Sequence, residues 1–150
     1  MIFNRTESDV SEAKRIINEK VKLFIGLSDE EAEIVSRGVV SSETLNRIES
    51  KQMELDSLFR SIGYFGKPIE TREWVVGCFF KDEDLTRIIE NNEALKETFF
   101  SFKETPKRPS AKYSYQNFNA IEKILFDLEE MYSFVIENFK ECGTFYCGEE

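Results

Sequence analysis

Carboxylates and cysteines are the only side chains here that could carry reaction chemistry, because the chain contains no histidine. That removes the commonest general base and the commonest metal ligand. The cysteines are Cys78, Cys142 and Cys147. Cys142 and Cys147 stand close together, but no second Cys or His pair accompanies them, and a zinc site ordinarily needs four ligands. A nucleophilic thiol would need a neighbouring activating group, and none is visible. The bland alternative, that both cysteines pack in or cap the C-terminal tail, is the stronger one. Acidic runs occur at Asp29-Glu30-Glu31, Asp82-Glu83-Asp84, Glu129-Glu130 and Glu149-Glu150. Two of these fall where first helical turns are expected, and negative charge there favours the helix dipole. No run has calcium-loop spacing. There is no glycine-rich phosphate loop and no serine at a nucleophile elbow. The residues therefore predict no catalytic site, no cofactor and no metal.

Recognition chemistry remains. Trp74, Tyr113, Tyr115, Tyr132, Phe145 and Tyr146 are of the types that dominate binding hot spots. Aromatics at helical spacing are more often core, so each is weighed against that reading. Phe145 and Tyr146 lie beyond a helix end, in a tail where polar residues are usual. They are the leading partner-binding candidates, followed by Trp74, Tyr113 and Tyr115.

Charge narrows the partners. With 29 acidic against 20 basic residues the net charge is −9, which argues against binding a phosphate backbone. The basic stretch Lys103, Lys107, Arg108 and Lys112 reads as a solvated loop bearing prolines. No apolar run approaches the roughly 18 residues of a membrane span. Met1 to Val10 lacks the apolar region of a signal peptide, so a cytosolic chain is expected. An odd cysteine count without a signal peptide does not suggest a disulfide framework. At 150 residues, a single domain spanning 1–150 is expected.

The elements that must position these groups are helices. Thr6 with Asp9, and Ser28 with Glu31, have the spacing of capping boxes. The first predicts a helix from Glu7 to about Ile25 along Val10, Ala13, Ile17, Val21 and Phe24, stopped by Gly26. The second predicts a short helix ending at Gly38. Ser41 or Ser42 caps a third helix carrying Leu45, Ile48, Leu55, Leu58, Phe59 and Ile62 and ended by Gly63. Lys51 and Gln52 interrupt that stripe, which predicts partly exposed packing there. Residues 64–81, with Gly66, Pro68 and Gly77, are expected to be irregular. Asp82 is placed as the cap of a helix from Glu83 to about Phe102. After a loop bearing Pro106 and Pro109, a broad apolar stripe from Phe118 through Ile121, Leu125, Leu128, Tyr132 and Val135 to Phe139 predicts one long helix over Ser114–Glu141. The fold class is thus all-α with about five helices. The last two are expected to form a long antiparallel hairpin, with a core centred where they meet.

The order of several short segments resembles a module found in tail-region proteins of phages and prophages of Gram-positive bacteria. Asn4-Arg5-Thr6-Glu7-Ser8-Asp9-Val10 is similar to its "RTQ-x-DVD" opening, with Glu7 in place of Gln. There follow Ser28-Asp29-Glu30-Glu31, then Gly38-Val39-Val40 leading into Thr44-Leu45-Asn46-Arg47-Ile48-Glu49, then Asp84-Leu85-Thr86-Arg87-Ile88. The series closes with Thr105-Pro106, Asn119-Ala120-Ile121-Glu122-Lys123-Ile124-Leu125 and Tyr146-Cys147-Gly148-Glu149. Where the module tends to read "GALNASDLNRIE", Val39-Val40-Ser41-Ser42-Glu43 departs from it but keeps the capping logic. The resemblance implies a virion or tail-assembly role without catalytic residues. The partners implied are other tail or baseplate proteins, with self-association open. The implied location is the host cytoplasm during assembly and then the virion. The alternative reading, supported by charge alone, is a cytosolic acidic regulator that occupies a nucleic-acid site on a partner.

Overall fold

The computed structural model describes residues 1–142, and side chains through 138. Phe145, Tyr146 and the Cys142/Cys147 pair lie outside that description. The five helices are α1 (Glu7–Glu19), α2 (Asp29–Gly38), α3 (Ser42–Ser61), α4 (Asp82–Thr98) and α5 (Tyr115–Cys142), with no strand among the described residues. The fold is all-α, and residues 64–81 are irregular as expected.

The helix starts follow from side chains that satisfy the first free N–H groups. The Thr6 hydroxyl accepts from the Asp9 N–H and the Asp9 carboxylate from the Thr6 N–H, at 3.2 and 2.6 Å. Ser28 and Glu31 repeat this at α2, and Ser41 caps α3. At α4 the cap moves by one residue. Lys81 is the N-cap, its N–H donating to the Asp84 carboxylate at 3.0 Å, and Asp82 is already helical.

The helix ends depart further from expectation. α1 stops at Glu19 rather than Ile25 and passes through a 3₁₀ turn, Val21–Leu23. The Ile25 N–H donates to the Lys20 carbonyl and the Phe24 N–H to that of Val21. These are the two bonds of a Schellman closure, and Phe24 holds its left-handed position at φ 56°. Gly26, expected to stop the helix, takes no such conformation. α3 closes by the same pair of bonds with Gly63 at φ 93°. α4 ends at Thr98, not Phe102, because Phe99 swings into extended backbone and stacks on Phe59, ring centroids 4.4 Å apart.

Pairing along the helices gives their directions. Between α3 and α4, Glu49 meets Arg87, Gln52 meets Asn92 and Phe59 meets Phe99. Between α3 and α5, Arg47 meets Glu122, Lys51 meets Glu129 and Phe59 meets Tyr132. Between α4 and α5, Asn92 meets Ile121 and Phe99 meets Tyr132. Both numbers rise together in every series, so α3, α4 and α5 run parallel. The expected antiparallel hairpin is not formed. The physical reason is that each connection is long enough to retrace a helix before the next begins. The first return passes Arg60 at Gly66, Asn91 at Glu70, Glu49 at Arg72 and Asn46 at Trp74. The second passes Lys96 at Pro106, Glu90 at Arg108 and Phe80 at Tyr113. The core lies among all three helices, with Ile48, Leu55 and Phe59 of α3 as deeply buried as Leu85, Ile89, Leu125 and Leu128.

α1 and α2 form a separate antiparallel arm. Asp9 meets Arg37 at one end and Lys20 meets Glu31 at the other. Gly38 is required at the crossing, since a Cβ there would stand 2.4 Å from both the Ala13 Cβ and the Asp9 carbonyl oxygen. The arm buries only Ala13 and Ile16.

Candidate functional site

The buried carboxylates come first, because they are where chemistry would be expected. Glu49 is 2% exposed. One of its oxygens accepts from Arg87 at 2.7 Å and from the Trp74 indole at 3.1 Å, and the other accepts the Arg72 N–H. Glu122 is fully buried. Its Oε1 accepts from Arg5 at 2.9 Å and Arg47 at 2.8 Å, and its Oε2 accepts the Ile2 N–H. Bonds from a guanidinium to a buried carboxylate are charge-assisted, and they give both side chains partners in the interior. Each carboxylate accepts three hydrogen bonds, and both oxygens of each are engaged. Glu49 also borders an open cleft of ≈ 500 Å³ with Asn46, Met53 and Arg72.

What these acids do is position chain segments. Glu122 gathers the N-terminal segment, α3 and α5, and Arg5 extends the node to α2 by donating to the Arg37 carbonyl at 3.0 Å. Glu49 pins the first return to α3 and α4. A third polar node, Gln52 with Asn91 and Asn92, donates to the carbonyls of Ile88, Glu70 and Ile121. Gln52 is fully buried, which corrects the expectation that Lys51-Gln52 marks partly exposed packing. Its amide donates to the Ile88 carbonyl and the Asn92 side chain and accepts from Asn91, all on α4, so burial leaves no group unsatisfied.

The aromatic candidates separate. Trp74 is 3% exposed and belongs to the core. Its backbone is bracketed by Asn46 through two 2.8 Å bonds, and the Arg72 guanidinium lies 4.7 Å over its ring. It is an anchor for the return segment and presents no recognition surface. Tyr113 is about half exposed, edge-on to Phe80, with its hydroxyl donating to the Phe80 carbonyl at 3.4 Å. Partial burial, and then the Asp82 carboxylate beside it, push its phenol above the ordinary range. Tyr115 is half-buried at the start of α5. The fold brings Tyr113 and Tyr115 together on one cleft of ≈ 320 Å³, shared with Arg5, Val10, Lys14, Gly38, Val39, Val40, Ser114 and Phe118. This cleft lies where the base of the arm meets the bundle.

The larger surface feature is one that residue patterns assign to a helix stripe. At the far end of the arm Leu23, Phe24 and Ile25 are 64, 98 and 50% exposed. A second apolar turn, Val75 to Phe79, stands out beside Trp74, with Val76 almost wholly exposed. The signal for the first was present, since an apolar run followed by Gly26 and a capping serine must turn somewhere. Among the described residues no group of three His, Cys, Asp or Glu side chains is arranged to hold a metal, and no helix is long and apolar enough to cross a membrane. Comparison with protein-family models, with curated proteins and with solved structures finds no match.

Proposed function

We propose that this chain is a non-catalytic structural or adaptor protein of a phage or prophage tail or baseplate region, acting through protein–protein contacts. The observation that carries the reading is the division of labour between interior and surface. The buried charges are committed to holding segments together, whereas large apolar side chains project at the arm tip and at the Val75–Phe79 turn. Exposed apolar groups at projecting positions are what a contact protein needs. The ordered series of motifs, from Asn4-Arg5-Thr6 to Tyr146-Cys147-Gly148, supplies the tail-region part of the proposal. The chain would be made in the host cytoplasm and carried into the particle. The test is an induced lysogen carrying the gene, compared with a strain in which the gene is deleted. Purified particles should contain the protein by quantitative mass spectrometry, and the deletion should give malformed or missing tails by electron microscopy. Particles that lack the protein, together with normal tails in the deletion strain, would refute the reading.

A further inference from the structure

We propose that the return segment 70–75 binds an extended, basic segment of a partner protein, which adds to its outer edge as a β-strand. The inference goes beyond the tail-region reading and does not rest on it, since it concerns the purified chain and a peptide.

Backbone polar groups alternate along this segment. Residues 68–75 contain no turn or bend. In extended backbone the N–H and C=O of one residue point to the same edge, and those of the next residue point to the other. The even-numbered residues face the bundle. The Glu70 carbonyl accepts from Arg87 and from Asn91, each at 2.8 Å. The Arg72 N–H donates to Glu49. The Trp74 N–H and C=O are both taken by the Asn46 side chain at 2.8 Å. Side chains of α3 and α4 thus play the part of a neighbouring strand on the inner edge. The odd-numbered residues Thr71 and Glu73 turn the other way. Both are exposed, and their N–H and C=O groups make no hydrogen bond among the described residues. An edge of this kind is a template for another strand.

The surroundings select the kind of strand. Thr71 and Glu73 border the ≈ 500 Å³ cleft, whose opposite wall is Asn46, Ser50 and Met53 of α3. Met53 is 48% exposed and offers an apolar surface. Glu43 lies one turn before Asn46 on the same face of α3. Glu43 and Glu73 are exposed and have no ion-pair partner among the described residues. The other charges at the cleft are committed. Glu49 is matched by Arg87 at 2.7 Å. Arg72 lies over the Trp74 ring and 3.6 Å from Asp84. The free charge at this edge is therefore negative. A lysine or arginine of an incoming strand can lay its alkyl stem on Met53 and hold its charge at Glu73. An acidic segment would meet like charge. A second copy fares no better, because pairing two of these edges brings their unpaired carboxylates together.

Amide exchange and NMR titration of the isotope-labelled full chain test this. The probe is an acetylated and amidated heptapeptide that alternates valine, for strand propensity, with lysine. In the free chain the Arg72 and Trp74 amides should exchange slowly and those of Thr71 and Glu73 fast. The probe should bind with a dissociation constant on the order of 100 µM and slow exchange at Thr71 and Glu73. Thr71→Pro removes an outward N–H that has no internal partner. It should weaken binding at least about tenfold and leave the Arg72 and Trp74 amides protected. Glu73→Lys should weaken binding of the probe about tenfold, and it should tighten binding of a peptide with glutamate in place of lysine. The probe N-methylated at every residue removes the same bonds from the other side, with the protein unaltered, and should not bind. An absence of binding up to about 5 mM probe overturns the proposal. So does an N-methylated probe that binds like the unmodified one, or a folded Thr71→Pro chain that binds as tightly as wild type. Protection of Thr71 and Glu73 that grows with protein concentration alone also overturns it, because the edge then belongs to a second copy.

Discussion

Glu122 illustrates how residue type and residue position can disagree. It lies four residues after Phe118 and three before Leu125, so helical spacing puts it on the inner face of α5. Gln52, four after Ile48 and three before Leu55, is the same case on α3. Read by type, both look like breaks in an apolar stripe. Read by position, both belong in the core, and both are buried there. What the sequence does not display is the set of hydrogen-bond partners that makes burial tolerable. For Glu122 they are donors on Ile2, Arg5 and Arg47, and for Gln52 they are the acceptors on Ile88 and Asn92 and the donor on Asn91, far away along the chain. The same blindness applies to Trp74, whose partners Asn46 and Glu49 lie on a different element. A buried carboxylate tied to two arginines has a sharp energetic signature. Glu122→Ala removes the anion but leaves the Arg5 guanidinium, 2% exposed, without its counter-charge. Breaking one side of such a pair typically costs about 3–5 kcal/mol, and urea denaturation should show a loss of that size. A loss below about 1 kcal/mol, the range of a surface ion pair, would mean that the node is not dry.

At the scale of elements, helix starts are far more legible than helix ends. Thr6–Asp9, Ser28–Glu31 and Ser41 act as read, because a cap is decided by residues three apart. Ends are decided by what pulls the chain away. Phe99 leaves α4 to stack on Phe59, and the chain after Glu19 turns early so that α2 can pack back along α1 with Lys20 on Glu31. The caps also make a prediction about acid. The Asp9 carboxyl is held below its ordinary 3.8, first by the Thr6 N–H, next by the Thr6 hydroxyl and then by Arg37. The Glu31 carboxyl is held below its ordinary 4.5, first by Lys20 and then by the Ser28 N–H. Both groups therefore bind protons more weakly when folded than when unfolded. Their contribution to stability is fully present above those ordinary values and is lost as pH falls through the depressed folded ones. Both belong to the α1–α2 arm, which has little core of its own. On acidification from pH 6 towards about 3, hydrogen exchange should show protection lost over residues 7–38 before it is lost in α3, α4 and α5. Simultaneous loss in arm and bundle would contradict this.

For the whole molecule, the direction of the bundle helices was the least legible property. Apolar stripes state which face of a helix is buried but not which way the helix runs. Loop length is the remaining signal, and short connections favour antiparallel neighbours. The segment between α4 and α5 contains two prolines and reads as a simple turn region, yet it retraces α4 through contacts at Lys96, Glu90 and Phe80. The segment between α3 and α4 does the same along α3 and is pinned by the Glu49 and Asn46 bonds. Two long returns laid beside three parallel helices thus stand in for the antiparallel partners that short loops would give. This arrangement is open to direct measurement. In a parallel bundle the starts of α4 and α5 share one end, where Phe80 packs on Phe118 and Tyr113 reaches the Phe80 carbonyl. Glu83, Gln116 and Asn138 are all exposed, so spin labels can be attached there with little effect on packing, after the native cysteines are replaced by serine. Electron–electron distance measurement should place labels on Glu83→Cys and Gln116→Cys within about 20 Å of one another. Labels on Glu83→Cys and Asn138→Cys should lie beyond about 30 Å, because α5 advances about 1.5 Å per residue between the two sites. An antiparallel hairpin requires the reverse order of the two distances. Finding that order would show that the pairings of Asn92 with Ile121 and Phe99 with Tyr132 do not describe the protein in solution.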